Sequence, residues 1–306
     1  MPSQSRQTTN GKAFEFSLLK AFQFVFGSVV KIELVENGPF EIARLCFESL
    51  TAKERAIFES NAVVAVKYLR DLEPKLSKEL NQSDCLQLEV VADVEGQSGD
   101  VRDILAIRSL QNWEIGISAK NNHQAVKHSR LSNNIDFGKK WLDIPCSSIY
   151  FEEIKPVFDM LEREKIESNG TKLWKQLGNY HQSVYKPILE SFKSELLRIN
   201  EIEPENTAKR LVEYFIGTRD FYKVIKKRNA VIVQAFNLHG TLNQSVKEIT
   251  AITKVPRLKL PSRIIEITWA TNSFTTLLVT LTEGWAISMR LHNASSRIEP
   301  SLKFEG

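Results

Sequence analysis

Gly99-Asp-Val-Arg-Asp-Ile-Leu-Ala-Ile-Arg-Ser-Leu-Gln-Asn-Trp-Glu-Ile-Gly-Ile-Ser-Ala-Lys120 decides how the chain is read. Asp103 to Arg108 has the pattern of a strand with an acid at its mouth. Ser109 to Asn112 is a polar turn, and Trp113 to Lys120 is a second strand. Side chains alternate faces along a strand. Glu114, Gly116, Ser118 and Lys120 therefore share one face, and Ile115, Ile117 and Ala119 share the other, which suits a core. A hairpin turning at Leu110-Gln111 sets Asp103 opposite Ser118, with Lys120 one step along the same face. Directly opposed side chains have Cβ atoms roughly 4.5–5.5 Å apart. A carboxylate and an ammonium then converge on a space suited to a divalent metal and a phosphate. In the same register Glu114 faces Ile107, about 13 Å from Ser118 at about 3.3 Å per residue. That distance makes Glu114 a poor metal ligand.

Working outward, Asn121 and Asn122 are good capping residues, and His123 to Leu131 is expected to form a short helix carrying His123, Lys127, His128 and Arg130. A helix N-terminus there favours phosphate. The two histidines are five apart, so they do not share a face as residues four apart do, and the spacing does not favour a shared zinc. An Asn-His pair with a later His also suggests an HNH nuclease, but that fold carries its histidine on a strand. Solvation of a basic face is the plain alternative for this stretch.

Upstream, residues 1–10 are expected to be a flexible tail. Asn10 is the expected cap of an amphipathic helix from Lys12 to Phe26, with Phe14, Leu18, Ala21, Phe22 and Val25 on one stripe and Glu15 at its edge. Val29 to Val35 alternates as a strand. Phe40 to Leu76 is helical, with a capping box at Thr51–Glu54 and a stop at Pro74. Asp84 to Asp93 is a strand leading to the hairpin. Downstream, Asp136-Phe-Gly138 and Pro145 mark loops. Helices are expected over Phe151–Lys165, kinked near Pro156, over Pro187–Asn200 and over Thr207–Ile216. Ser168-Asn-Gly-Thr171 is the expected domain boundary. Beyond Gly217 the chain turns β-rich, with strands at Phe221–Ile225, Val231–Phe236, Ile264–Trp269, Thr276–Leu281 and Trp285–Leu291.

The chain of 306 residues is 42% hydrophobic with 17 Phe, enough for a sizeable core, and its net charge of +4 permits an anionic partner without demanding one. Cys46, Cys85 and Cys146 are odd in number and match neither zinc spacing nor a disulfide framework, which fits a reducing compartment. The polar N-terminus has no signal-peptide pattern, and no apolar run approaches the roughly 18 residues of a membrane span. A cytoplasmic location is expected.

Hydrolysis of a phosphodiester needs a metal to activate water and a nearby cation to offset the developing charge. Asp103 is a hard oxygen ligand suited to Mg²⁺. The backbone carbonyl of Ala119 offers another oxygen, and Lys120 can orient the attacking water. Asp103, an apolar strand, a turn and a strand ending in Lys120 together resemble the PD-(D/E)xK nuclease core. That resemblance implies an acid two residues before the Lys, where this chain has Ser118. A carboxylate must then come from elsewhere. Related nucleases commonly place one on a helix beside the hairpin, which makes Glu15 the preferred donor, followed by Asp100, then Asp136 and last Glu114. The plain alternative for Glu15 is an ordinary glutamate in a helix first turn.

A longer match is more specific. Gly99-Asp-Val-Arg-Asp-Ile-Leu105, Trp113 to Lys120, Asn122 to Ser132, Ile135-Asp-Phe-Gly138, Phe221-Tyr-Lys223, Asn237 to Gln244, Leu260 to Ile265 and His292 to Phe304 resemble the HaeIII-type family of type II restriction endonucleases. The resemblance covers nearly the whole chain from about Asn10. It implies Mg²⁺-dependent cleavage of double-stranded DNA at GGCC, as one half of a restriction–modification pair whose other half is a DNA methyltransferase.

The expected fold is α/β (α+β): a PD-(D/E)xK-like core with a mixed sheet flanked by helices over residues 11–167, and a β-rich DNA-recognition region over residues 168–306. Arg and Lys suit guanine, Asn and Gln suit adenine, and Ser, Lys and backbone amides suit phosphates. The candidates are Lys223, Asn237, His239, Asn243, Gln244, Arg263, Arg290, Asn293 and Arg297, with Lys303. Singly, each is also an ordinary surface residue. A palindromic target favours a two-fold homodimer. Two further functions fit the residues: a DNA binder that lost catalysis with the acid at Ser118, and a nuclease that recognises DNA structure.

Overall fold

The structure is a computed structural model, and it describes residues 6–77, 83–92, 100–122, 128–246 and 249–306. The chain divides into two compact units. The first holds Met1–Gln124 and Thr218–Leu258, and the second Ala125–Gly217 and Lys259–Gly306. This corrects the expected boundary at residue 168. Two strands beyond Gly217 return to the sheet of the hairpin, so the sequence between them and the hairpin joins Lys259–Gly306 in the other unit.

In the first unit, the helices are α1 (Arg6–Phe26), α2 (Gly38–Glu48) and α3 (Ala52–Leu72). The strands are β1 (Lys31–Val35), β2 (Cys85–Val90), β3 (Ile104–Arg108) and β4 (Trp113–Asn121). Helix α1 starts before Asn10, so residues 6–10 are helical and neither tail nor cap. The capping box at Thr51 and Glu54 opens α3 as expected. A short turn of helix, Pro74–Leu76, follows α3.

The hairpin register is the expected one: Ile104 pairs with Ile117, and Ile107 with Glu114. Its turn closes at Asn112 in the left-handed region (φ 45°, ψ 51°), which Asn tolerates better than most residues. The hairpin belongs to a six-stranded mixed sheet, ordered β1-β2-β3-β4-β6-β7. Here β6 (Phe221–Lys226) lies parallel to β4, and β7 (Val231–Phe236) closes the edge antiparallel to β6.

One face of this sheet is apolar. Leu86, Leu88, Val90, Ile104, Ala106, Ile115, Ile117, Ala119, Tyr222 and Val224 pack there with Phe14, Leu18 and Phe22 of α1 and Phe58, Val66 and Leu69 of α3. Burial of these side chains supplies the main driving force of the unit. Alternation puts Asp103, Ser118, Lys120 and Lys223 on the other face. At the hairpin's far end Arg108 is fully buried, paired with Asp84 and donating to the Lys75 and Leu76 carbonyls at 3.1 Å.

The second unit contains a five-stranded antiparallel sheet, ordered β5-β11-β10-β9-β8. Its strands are β5 (His128–Leu131), β8 (Ile264–Trp269), β9 (Thr276–Leu281), β10 (Ala286–Asn293) and β11 (Leu302–Glu305). Its helices are α4 (Ser148–Glu167), with Pro156 inside, α5 (Lys186–Ile202) and α6 (Pro204–Ile216). Phe137, Trp141, Phe192 and Phe304 pack ring against ring at its centre.

Strand β5 corrects the helix expected over His123–Leu131. Ser129 and Leu131 are buried and Arg130 is exposed, a period of two, because β5 pairs with β11. Residues 123–127, with His123 and Lys127, lie outside the described residues. Among the described residues no helix is long and apolar enough to cross a membrane.

Candidate active site

The polar face of the first sheet gathers the predicted hairpin pair. Asp103 Oδ2 accepts from the Ala119 amide at 2.7 Å, from Lys120 Nζ at 3.1 Å and from Ser118 Oγ at 3.2 Å. The backbone amide of Asp103 donates to the Ile117 carbonyl at 2.8 Å, which locks the acid onto the neighbouring strand. The side chains of Asp103 and Lys120 remain 22% and 20% exposed, so both reach solvent. Ser118 is fully buried between them.

A second lysine joins this face. In the parallel pairing of β4 and β6, Lys223 is the partner of Ser118. Lys223 is buried, and its pKa is pushed down to about 8 by burial, with repulsion from Lys120 and Lys227 adding to the effect. The sequence singles out Lys223 as a reader of guanine. The strand register puts it beside the hairpin.

The other carboxylates are engaged. Arg102 lies flat against the sheet over Gly116, where any Cβ would sit 1.9 Å from its Cδ. Arg102 Nη2 and Nε grip Asp100 Oδ2 and Oδ1 at 2.6 and 2.8 Å, and Nη1 reaches Glu114 Oε1 at 2.7 Å. Burial works to raise the Asp100 carboxyl, but hydrogen bonds and charge from Arg102 outweigh it and hold the group below its ordinary value. Glu15 is buried and pairs with Lys12 at 3.1 Å, on the helix that packs against the apolar face. Asp136 belongs to the second unit, where it accepts from the Lys139 amide at 2.8 Å and the Cys146 amide at 3.1 Å. Among the described residues no three His, Cys, Asp or Glu side chains gather into a metal-binding group.

The remaining candidates separate between the units. Asn237, Asn243 and Gln244 hold the first unit's own loops. Asn237 Nδ2 donates to the Val255 carbonyl at 3.3 Å, Asn243 Nδ2 to the Leu72 carbonyl at 2.7 Å, and Gln244 Oε1 accepts from Lys75 at 2.7 Å. Asp220, missed by the sequence reading, organises the same segment by accepting from the Leu238, His239 and Thr241 amides at 2.6–2.8 Å. Its signal was a lone Asp before a strand, which is too common to single out. His239 is exposed and lines a cavity of about 540 Å³ with Arg102, Glu114 and Arg219.

In the second unit, cross-strand pairing aligns Arg130, Lys303 and His292 in one row, and His128, Glu305 and Arg290 in the next. Arg130 and Arg290 are exposed, and Glu305 lies 2.8 Å from His292 Nε2. Arg263 and Arg297 are exposed singly, and Asn293 bonds the Ser295 carbonyl at 2.5 Å.

Comparison with known proteins gives this arrangement its context. The family model described as HaeIII restriction endonuclease matches residues 11–306. The type II restriction enzyme HaeIII of Haemophilus aegyptius is 38% identical over 310 residues, covering 98% of this chain and 93% of that protein. No solved structure matches. A mixed sheet flanked by helices, with these likenesses, defines the chain as a restriction endonuclease, an enzyme that cuts DNA. More narrowly, the chain belongs to the HaeIII restriction endonuclease family.

Proposed function

We propose that this enzyme makes Mg²⁺-dependent double-strand cuts in DNA at the palindrome GGCC, with Asp103 and Lys120 as its catalytic pair. The observation that carries the reading is the shared contact of Ser118, the Ala119 amide and Lys120 on a single oxygen of Asp103. Those bonds leave Oδ1 of a part-exposed carboxylate as a hard ligand, and the Ala119 carbonyl belongs to the same strand edge. Mg²⁺ is held by one or two carboxylates, with waters and substrate phosphates completing its shell. Asp103 and the Ala119 carbonyl fit that minimal donor set. When bound there, the ion supplies Lewis-acid stabilisation of the phosphoryl group and a more acidic water.

Asp103 fixes the Lys120 ammonium on the polar face. Lys120 then orients the attacking water and offsets negative charge as the phosphodiester is displaced. On the second sheet, Arg130 and Lys303 of one row and Arg290 of the next suit contacts with DNA phosphates, which position a duplex without reading its sequence. A palindromic target favours a homodimer related by a two-fold axis. The host's own sites then require protection by a cognate DNA methyltransferase.

The test is a digest of phage DNA in Mg²⁺. Discrete bands whose sequenced ends fall within GGCC support the reading. A shift of DNA without cutting under any divalent ion contradicts it and favours a binder that lost catalysis. Cutting confined to junctions or flaps contradicts it in favour of a structure-specific nuclease.

A further inference from the structure

The rung between β4 and β6 holds a side chain that the hairpin alone leaves unexplained. Ser118 occupies the place where the PD-(D/E)xK pattern has an acid, and the residue paired with it is Lys223. Tyr222 and Val224, on either side, pack into the core with Ile117 and Ala119. Lys223 therefore points to the opposite face, the one that also carries Asp103 and Lys120. Neighbouring strands are about 4.8 Å apart, which brings its stem alongside Ser118.

Burying a lysine is costly, and an apolar residue would pack a sheet interior at less expense. The ammonium also stands close enough to Lys120 for the two charges to repel, and its hold on its proton is weakened accordingly. Two ammonium groups on the face that carries Asp103, near enough to repel each other, suit an added anion with several oxygens, and a phosphodiester has that chemistry.

Building on the function proposed above, we propose that Lys223 is a phosphate-binding residue of the active site, whose ammonium holds a non-bridging oxygen of the linkage that is cut, from the rung that Ser118 leaves without an acid. Its role then differs from that of Lys120, which is tied to Asp103 and serves the attacking water. Lys223 grips the substrate, and it does so before any metal is present.

The test uses the full chain and a duplex oligonucleotide carrying the mapped cleavage site. The duplex is made once with a native phosphate and once with a neutral methylphosphonate at the cleaved linkage. Binding is measured by fluorescence anisotropy in EDTA, so that nothing is cut. Lys223→Met is expected to weaken binding of the native duplex about tenfold and of the methylphosphonate duplex less than twofold. Lys223→Gln, which keeps a polar end, is measured beside it and is expected to give the same pattern, so the outcome does not hang on the folding of one variant. Equal losses on both duplexes overturn the proposal, because they indicate a packing role. No loss on either duplex overturns it as well. A wild-type protein that cuts no duplex fails at the earlier step and overturns the functional reading, together with this inference that rests on it.

Discussion

The two sheets use charge in opposite ways. On the first, Asp103, Ser118, Lys120 and Lys223 share one face, half hidden or fully buried, and Asp103 bonds three of its neighbours with one oxygen. On the second, Arg130 and Arg290 stand exposed in rows set by strand pairing. A buried, mutually bonded cluster holds its geometry and feels a low dielectric, so each charge counts strongly. Exposed charges are screened within about 10 Å at 0.1 M salt and act mainly by their number. On the function proposed above, this difference suits chemistry on the first sheet and phosphate contacts on the second.

The first sheet also carries a titrating group, which sharpens the contrast. Glu73 is buried beneath β6, accepting from Tyr222 Oη at 2.7 Å and the Asn243 amide at 2.6 Å. Burial pushes its pKa up to about 7 against those bonds. An acid with a raised folded pKa binds its proton more tightly when folded. Its stabilising contribution is therefore full below the ordinary carboxylate range, and it is lost as pH rises through that range to about 7. The loss amounts to about 3 kcal/mol. The urea midpoint of the wild type should fall between pH 5 and 7, and Glu73→Gln should flatten that fall. An equally steep fall in the variant would remove Glu73 as its cause.

The second sheet should respond far more mildly. Arg130→Ala combined with Arg290→Ala is expected to lower DNA affinity almost equally for specific and random duplexes. The slope of log affinity against log salt should become shallower by about 1 to 2. A selective loss at the target site would instead make these residues readers of bases and break the contrast.

Much of the first sheet was legible because its signals are local. The alternation of Trp113 to Lys120 and a short polar turn fixed the hairpin register. The bounds of β7, β8 and β9 follow from apolar runs between turn residues. Pairings distant in sequence were not legible. Nothing in Phe221–Lys226 announces a parallel partner in β4, so Lys223 was placed among the base readers and the unit boundary at residue 168. Strand β5 was hidden because His, Lys and Arg at close spacing resemble a solvated helix face. Its period of two emerges only once β11 is beside it. Asn237 and Asn243 have donor and acceptor groups suited to bases, yet the same groups suit loop carbonyls and amides, and residue type cannot distinguish those uses.

The central claim is that Asp103 and Lys120 are the catalytic pair, and single-turnover cleavage of a GGCC duplex in Mg²⁺ tests it most directly, with binding followed in the same samples. Asp103→Ala and Lys120→Ala should each slow cleavage by at least about 10²–10³-fold while retaining target binding within about tenfold. Cleavage at the wild-type rate by either variant would contradict the claim.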